Sequence, residues 1–155
     1  MKNWQKLLVS VVGCELVGVV STPFTLRAIP EWYSTLNKPF FSPPNWLFGP
    51  VWTLLYLMMG VSIYLIWKQK QNTNTRKAIE LFSAQLFLNF LWTPAFFGLH
   101  SPSFGLLVII TMWFAILKTI KKFLSVNKTA GYLLVPYILW VSFATLLNLA
   151  IFVLN

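Results

Sequence analysis

The sequence predicts an all-α fold: an integral membrane bundle of five transmembrane helices, with a long loop between the first two helices capping a pocket. Three observations point there. The chain of 155 residues is 57% hydrophobic and only 10% charged, with a mean hydropathy of +0.70; a soluble domain carries about 25% charged residues. Five apolar runs each approach the roughly 20 residues needed to cross a bilayer. Basic residues alternate between crowded and sparse connections. Alternating apolar–polar barrel strands are absent, so helices must satisfy the backbone in lipid. At this length one domain, residues 1–155, is expected.

The expected spans run from about Leu7 to Leu26, Trp46 to Trp67, Ile79 to Leu99, Phe104 to Phe123 and Gly131 to Leu154. Lys2 and Lys6 ahead of the first run imitate a signal peptide. The apolar stretch continues well past Cys14, however, and reads as an uncleaved helix. The connections differ in character. Arg27 to Asn45 is long; Lys68 to Lys77 is the polar run KQKQNTNTRK; His100 to Ser103 is a tight turn; Ser125 to Ala130 is short and polar.

Sorting the basic residues by side gives the orientation. Lys2, Lys6, Lys68, Lys70, Arg76, Lys77, Lys118, Lys121, Lys122 and Lys128 fall on the N-terminal side, and only Arg27 and Lys38 on the other. Basic residues collect in cytoplasmic loops, so the N-terminus is expected in the cytoplasm and the C-terminus outside. The same rule gives the net charge of +9 a membrane explanation, and no nucleic-acid partner is expected. One cysteine, Cys14, and one histidine, His100, cannot build a zinc or iron–sulfur site. No paired carboxylates, nucleophile–base pair or phosphate-cradling glycine loop appears, which excludes conventional hydrolysis and phosphoryl transfer.

The run from Trp32 to Tyr56 holds eight aromatic residues and four prolines. Rings build stiff apolar walls and prolines stiffen the backbone that carries them. A rigid aromatic loop that runs straight into a membrane helix reads as a lid over a hydrophobic pocket. On the second helix, Trp52 and Tyr56 share a face with Met59 and Ile63; Trp46 and Trp67, near its ends, suit the interfacial belt. The third helix aligns Gln85, Asn89, Trp92 and Phe96, a stripe that must face protein or a cavity rather than lipid. Pro94 is expected to bend that helix. The fifth aligns Tyr137, Trp140, Ala144 and Asn148, and its polar Ser142 and Thr145 suggest a central position. Glu15 is the one acid well inside a span; such residues are functional candidates, with a structural hydrogen bond preferred here over proton transport.

Three blocks carry a family resemblance: WYSTLNKPFFSPPNWLFGPVWTLLYLMMG, QLFLNFLWTPAFF and LLVPYILWVSFATLLN. Together they resemble the tryptophan-rich sensory protein (TspO) family, which includes the mitochondrial translocator protein or peripheral-type benzodiazepine receptor. The likeness spans nearly the whole chain and is weaker in the first and fourth helices. It implies a five-helix bundle, a homodimer and a pocket under the first loop. It also implies binding of porphyrins such as protoporphyrin IX, and of isoquinoline carboxamides and benzodiazepines, with no further cofactor and no metal. Carried over block by block, the ligand-binding residues are Tyr33, Trp46, Trp52, Tyr56, Asn89, Trp92, Trp140, Phe143, Ala144 and Leu147. Arg27 and Lys38 are expected at the pocket mouth, pairing with porphyrin carboxylates. Some bacterial members are linked to light-dependent porphyrin breakdown, for which Trp52 and Trp140 are the candidate redox residues. The compact chain resembles the bacterial members, so a multi-pass protein of the bacterial cell membrane is expected. One stretch departs from the mitochondrial pattern: LLNLAIFVLN lacks the Tyr and Arg of the sterol-recognition segment, and sterol binding is not expected. A porphyrin exporter and a ligand-sensing adaptor are the competing readings; the lack of an internal repeat weighs against the exporter.

Overall fold

The computed structural model describes all 155 residues. It is all-helical: α1 (Asn3–Glu31), α2 (Asn45–Trp67), α3 (Thr73–Thr93), α4 (Pro102–Val126), α5 (Lys128–Leu133) and α6 (Val135–Leu154). A 3-10 turn spans Tyr33–Thr35 and a π turn spans Pro94–Gly98. Helices α5 and α6 together form the fifth rod of the bundle. Around the bundle the order is α1, α2, α5–α6, α4, α3, and α3 closes the ring against α1.

Local chemistry sets most of the boundaries. The side chains of Asn72, Ser101 and Asn127 accept hydrogen bonds from the Thr75, Phe104 and Ala130 N–H groups and cap α3, α4 and α5. Pro102 occupies the first turn of α4, where its missing N–H costs nothing. Pro136, in the first turn of α6, explains the break at Leu134 between α5 and α6.

Two expectations need correction. The first helix does not stop at Leu26; it runs through Pro23 and Pro30 to Glu31. A proline removes one hydrogen bond and bends a membrane helix without having to end it. Arg27 therefore belongs to α1 and not to the loop. The third helix begins at Thr73 rather than Ile79, inside the polar run, because Asn72 caps it there. Its polar start and its amide stripe leave it short of the apolarity of the others. Four segments, α1, α2, α4 and α5–α6, are long and apolar enough to cross a membrane. Helix α4 packs on α3, α5, α6 and the π turn, and its Ile116 and Phe123 are fully buried.

The ten clustered basic residues do gather at one end. Lys6 sits 5.6 Å from the Trp67 ring centroid, which joins the start of α1 to the end of α2. Lys122 Nζ donates to Asn74 Oδ1 at 2.8 Å, which joins the end of α4 to the start of α3. At the far end, Asn155 Nδ2 donates to the Asn37 carbonyl at 2.9 Å and ties the first loop to the C-terminus.

Helices α1 and α2 touch most closely where Gly60 meets Val11. A β-carbon at Gly60 would lie 2.5 Å from the Val11 Cα, whereas one at Gly13 would meet nothing within 4 Å. Gly60→Ala should therefore lower stability in detergent by about 1–3 kcal/mol. Gly13→Ala should be neutral or gain up to ~1 kcal/mol of helix propensity. Thermal unfolding of the two variants checks the pair, and the reverse ranking would contradict this packing.

Candidate functional site

Side-chain hydrogen bonds join the helices across the middle of the bundle. Tyr56 Oη donates to Asn89 Oδ1 at 2.6 Å. Asn89 Nδ2 donates to Tyr137 Oη at 2.8 Å, and Tyr137 Oη donates to Gln85 Oε1 at 2.8 Å. All four residues are buried, so α2, α3 and α6 are tied where no water competes. A second chain lies further out. Trp92 Nε1 donates to Asn148 Oδ1 at 3.2 Å, and Asn148 Nδ2 donates to the Pro102 carbonyl at 2.8 Å.

Above the first chain is a cavity of about 440 Å³, bounded by α1, α2, α3, α6 and the 3-10 turn. This is within the range of small-molecule sites. Its walls are aromatic: Trp46, Phe48 and Trp52 from α2, Trp92 from α3, Phe96 and Phe97 from the π turn, Trp140 from α6 and Tyr33 from the loop. The π turn follows from Pro94, which has no N–H to continue the α ladder; the Leu99 N–H bonds instead to the Pro94 carbonyl at 2.9 Å. The wider turn lets the adjacent Phe96 and Phe97 both face inward, their centroids 4.8 Å apart. Trp92 stacks on Phe96 at 5.5 Å and 21°.

The first loop packs over the same rings. Trp32 stacks on His100 at 4.8 Å and 13°, and His100 holds a left-handed conformation, φ 50°, in the tight turn. Tyr33 packs edge-on to Phe96 and tilted against Phe97. Burial raises the pKa of the Tyr33 phenol, an effect that the Ser42 hydroxyl partly opposes. The phenol is therefore neutral at pH 7.

Between α1 and α2 the cavity is open. Its rim there consists of Val19, Thr22, Leu26, Trp46 and Thr53, all exposed. The two helices converge below, where Gly18 lies so close to Tyr56 that a β-carbon would fall 2.8 Å from its ring. Above that point the helices leave a gap.

Of the expected ligand-binding residues, Tyr33, Trp46, Trp52, Tyr56, Asn89, Trp92, Trp140, Ala144 and Leu147 all line this cavity. Phe143 does not. It is turned behind Trp140, 5.4 Å away, and against Phe41 at 6.2 Å. Arg27 and Lys38 are also absent from the walls. Arg27 faces a separate hollow on the far side of α1, shared with Glu31 and His100. Lys38 donates to the Tyr33 carbonyl at 2.9 Å and lies 4.7 Å from the Tyr33 ring centroid. Helix α1 contributes a wall that the sequence reading left out, including Glu15, Gly18, Thr22 and Ile29. Phe48 and Phe97 were likewise not anticipated. The aromatic density between Trp32 and Tyr56 was a signal for Phe48; on α1 the small and polar residues Glu15, Gly18, Thr22 and Thr25, at helical spacing, were the signal for its inward face.

The model of the TspO/MBR family matches residues 10–154. The chain is 42% identical to the tryptophan-rich protein TspO of Archaeoglobus fulgidus over 153 residues, 99% of each chain. It is 35% identical to the tryptophan-rich sensory protein of Cereibacter sphaeroides over 99% of this chain and 93% of the relative. It is 37% identical to the human translocator protein over 76% of this chain and 71% of that one. Its multiple apolar helices make it a multi-pass membrane protein, and by these matches the chain belongs to the TspO/MBR family.

Proposed function

We propose that this protein is a membrane receptor for porphyrins, of which protoporphyrin IX is the model ligand, and that it promotes their light-dependent oxidation. The observation that carries the reading is the cavity itself: four indoles, Trp46, Trp52, Trp92 and Trp140, around one space of about 440 Å³. A flat apolar macrocycle gains both area burial and ring stacking against such walls. The first loop, held down by the Trp32–His100 stack, acts as the lid. The porphyrin's carboxylate tails belong at the rim, where Lys38 sits on the Tyr33 ring; Arg27 lies further round α1. The family resemblance supports isoquinoline carboxamides and benzodiazepines as synthetic occupants of the same space, and a homodimer as the assembly.

The photochemistry uses light and molecular oxygen. The excited porphyrin passes energy or an electron to oxygen, and an indole close to the ring supplies an electron or traps the oxidant. Trp52 and Trp140 are the candidates. Trp52 lies 5.7 Å from Tyr56 and 6.3 Å from Tyr137, next to the hydrogen-bonded chain. The Trp140 Nε1–H is buried without a partner. Under illumination, Trp52→Phe and Trp140→Phe should each slow the loss of the porphyrin Soret band, and the double variant should slow it most. Unchanged decay in all three variants, with binding intact, sinks the redox assignment and leaves a binding or export protein.

The charge asymmetry supports a topology with the basic end of the bundle in the cytoplasm and the lid outside the cell membrane. An alkaline phosphatase fused after Asn155 should then be active in a bacterial host. A silent phosphatase together with an active cytoplasmic reporter at the same position would reverse the topology.

A further inference from the structure

One carboxylate faces the cavity. Glu15 is the only charged residue among those that line it, and the protein's ion pairs lie elsewhere, joining Arg76 and Lys77 to Glu80. Several polar groups of the cavity walls on α1 and α2 are already committed. The Ser21 hydroxyl donates to the Val17 carbonyl and the Thr22 hydroxyl to the Gly18 carbonyl, both at 2.8 Å. Across the gap, the Thr53 hydroxyl donates to the Gly49 carbonyl at 2.9 Å, and the Tyr56 hydroxyl is held by Asn89. No donor of the protein is bonded to the Glu15 carboxylate. An acid at membrane depth without a partner is costly, so such groups find a counterpart. Glu15 is half-buried, and the protein surface it lines is the cavity.

We propose that Glu15 is the polar anchor of the cavity and that it accepts a hydrogen bond from a nitrogen, an ammonium or N–H group, carried by an otherwise flat apolar ligand. The inference rests on the cavity being the ligand site, but not on the ligand being a porphyrin. It adds a rule of selection to that site. Rings that present a nitrogen donor toward α1 are favoured, and anionic groups are kept out of the interior and confined to the rim. A hydrogen bond to a charged group is worth on the order of tenfold in affinity.

A matched probe series tests this: 1-pyrenemethylammonium, 1-pyrenemethanol and 1-pyrenecarboxylate share one ring and differ in the group attached. Binding to the full-length protein in non-ionic detergent is followed by tryptophan-to-pyrene energy transfer. The wild type should bind the ammonium about tenfold more tightly than the alcohol, and the carboxylate most weakly. In Glu15→Gln the ammonium-to-alcohol ratio should fall to about one. Equal affinities in the wild type, or an unchanged ratio in Glu15→Gln, would overturn the proposal. If Glu15→Gln does not fold, Glu15→Asp decides: withdrawing the carboxylate must weaken the ammonium more than the alcohol, and equal weakening overturns the assignment. Protoporphyrin IX is titrated into the same samples. Loss of porphyrin binding with the ammonium preference intact removes the porphyrin reading alone. Porphyrin binding without the preference removes Glu15 alone.

Discussion

The structure depends on the Asn89 side chain. In lipid a primary amide must find partners inside the protein, because hydrocarbon offers none. Asn89 accepts from Tyr56 on α2 and donates to Tyr137 on α6. A single residue of α3 thereby fixes the rotation of two other helices about their own axes. Apolar side chains alone would not set that rotation, since α2 and α6 are apolar on nearly every face. With Tyr56 and Tyr137 held inward, Trp52 and Trp140 follow on the same sides of their helices, one turn further out. The hydrogen-bonded chain is the floor of the cavity, and the indoles one turn above it are its walls.

Other features widen the bundle above that floor. Pro94 opens the α ladder into a π turn and sends two phenylalanines inward. Gly18 lets Tyr56 press against α1, and beyond it the two helices leave a gap. Helix α4 stands outside this region. It braces α3 and α6, and it is joined to α6 by the hydrogen bond from Trp113 Nε1 to Ser142 Oγ at 2.8 Å. The bundle thus divides into a packed half and a hollow half, a division of labour that leaves the site on helices whose positions are fixed from behind. The hollow half is the end away from the basic cluster.

Much of this was legible in the sequence because lipid imposes a strong pattern. Apolar runs of about 20 residues mark helices. Amides at helical spacing, Gln85 and Asn89, marked the inward face of α3 correctly, as Tyr137 and Asn148 did for α6. The rest failed for physical reasons. The end of α1 was misplaced because the apolar run stops at the charged Arg27, whereas the helix continues through Pro30 to Glu31 and takes Arg27 with it. The start of α3 was hidden because Asn72 caps a polar turn that hydropathy cannot see. The π turn shifts register by one residue and left no trace beyond Pro94. Helix α1 does carry an inward stripe, Glu15, Gly18, Thr22 and Thr25, but small and hydroxyl side chains barely interrupt an apolar run, and Glu15 alone was singled out, with a structural hydrogen bond preferred over proton transport. Phe143 differs from Ala144 by 100° of helix rotation, a distinction that a three-block resemblance does not resolve.

The account stands on the cavity being the place where a flat aromatic ligand meets the indoles. Ala144 is the most direct probe, being buried and part of the wall. The deciding measurement is a dark titration of the purified protein with protoporphyrin IX, followed by tryptophan quenching, in the wild type and in Ala144→Phe. The account predicts saturable quenching in the wild type and affinity at least about tenfold weaker, or no saturation, when the phenyl group fills the space. Equal saturable quenching in a folded Ala144→Phe protein would place the ligand elsewhere, and no saturation in the wild type would contradict the porphyrin reading altogether.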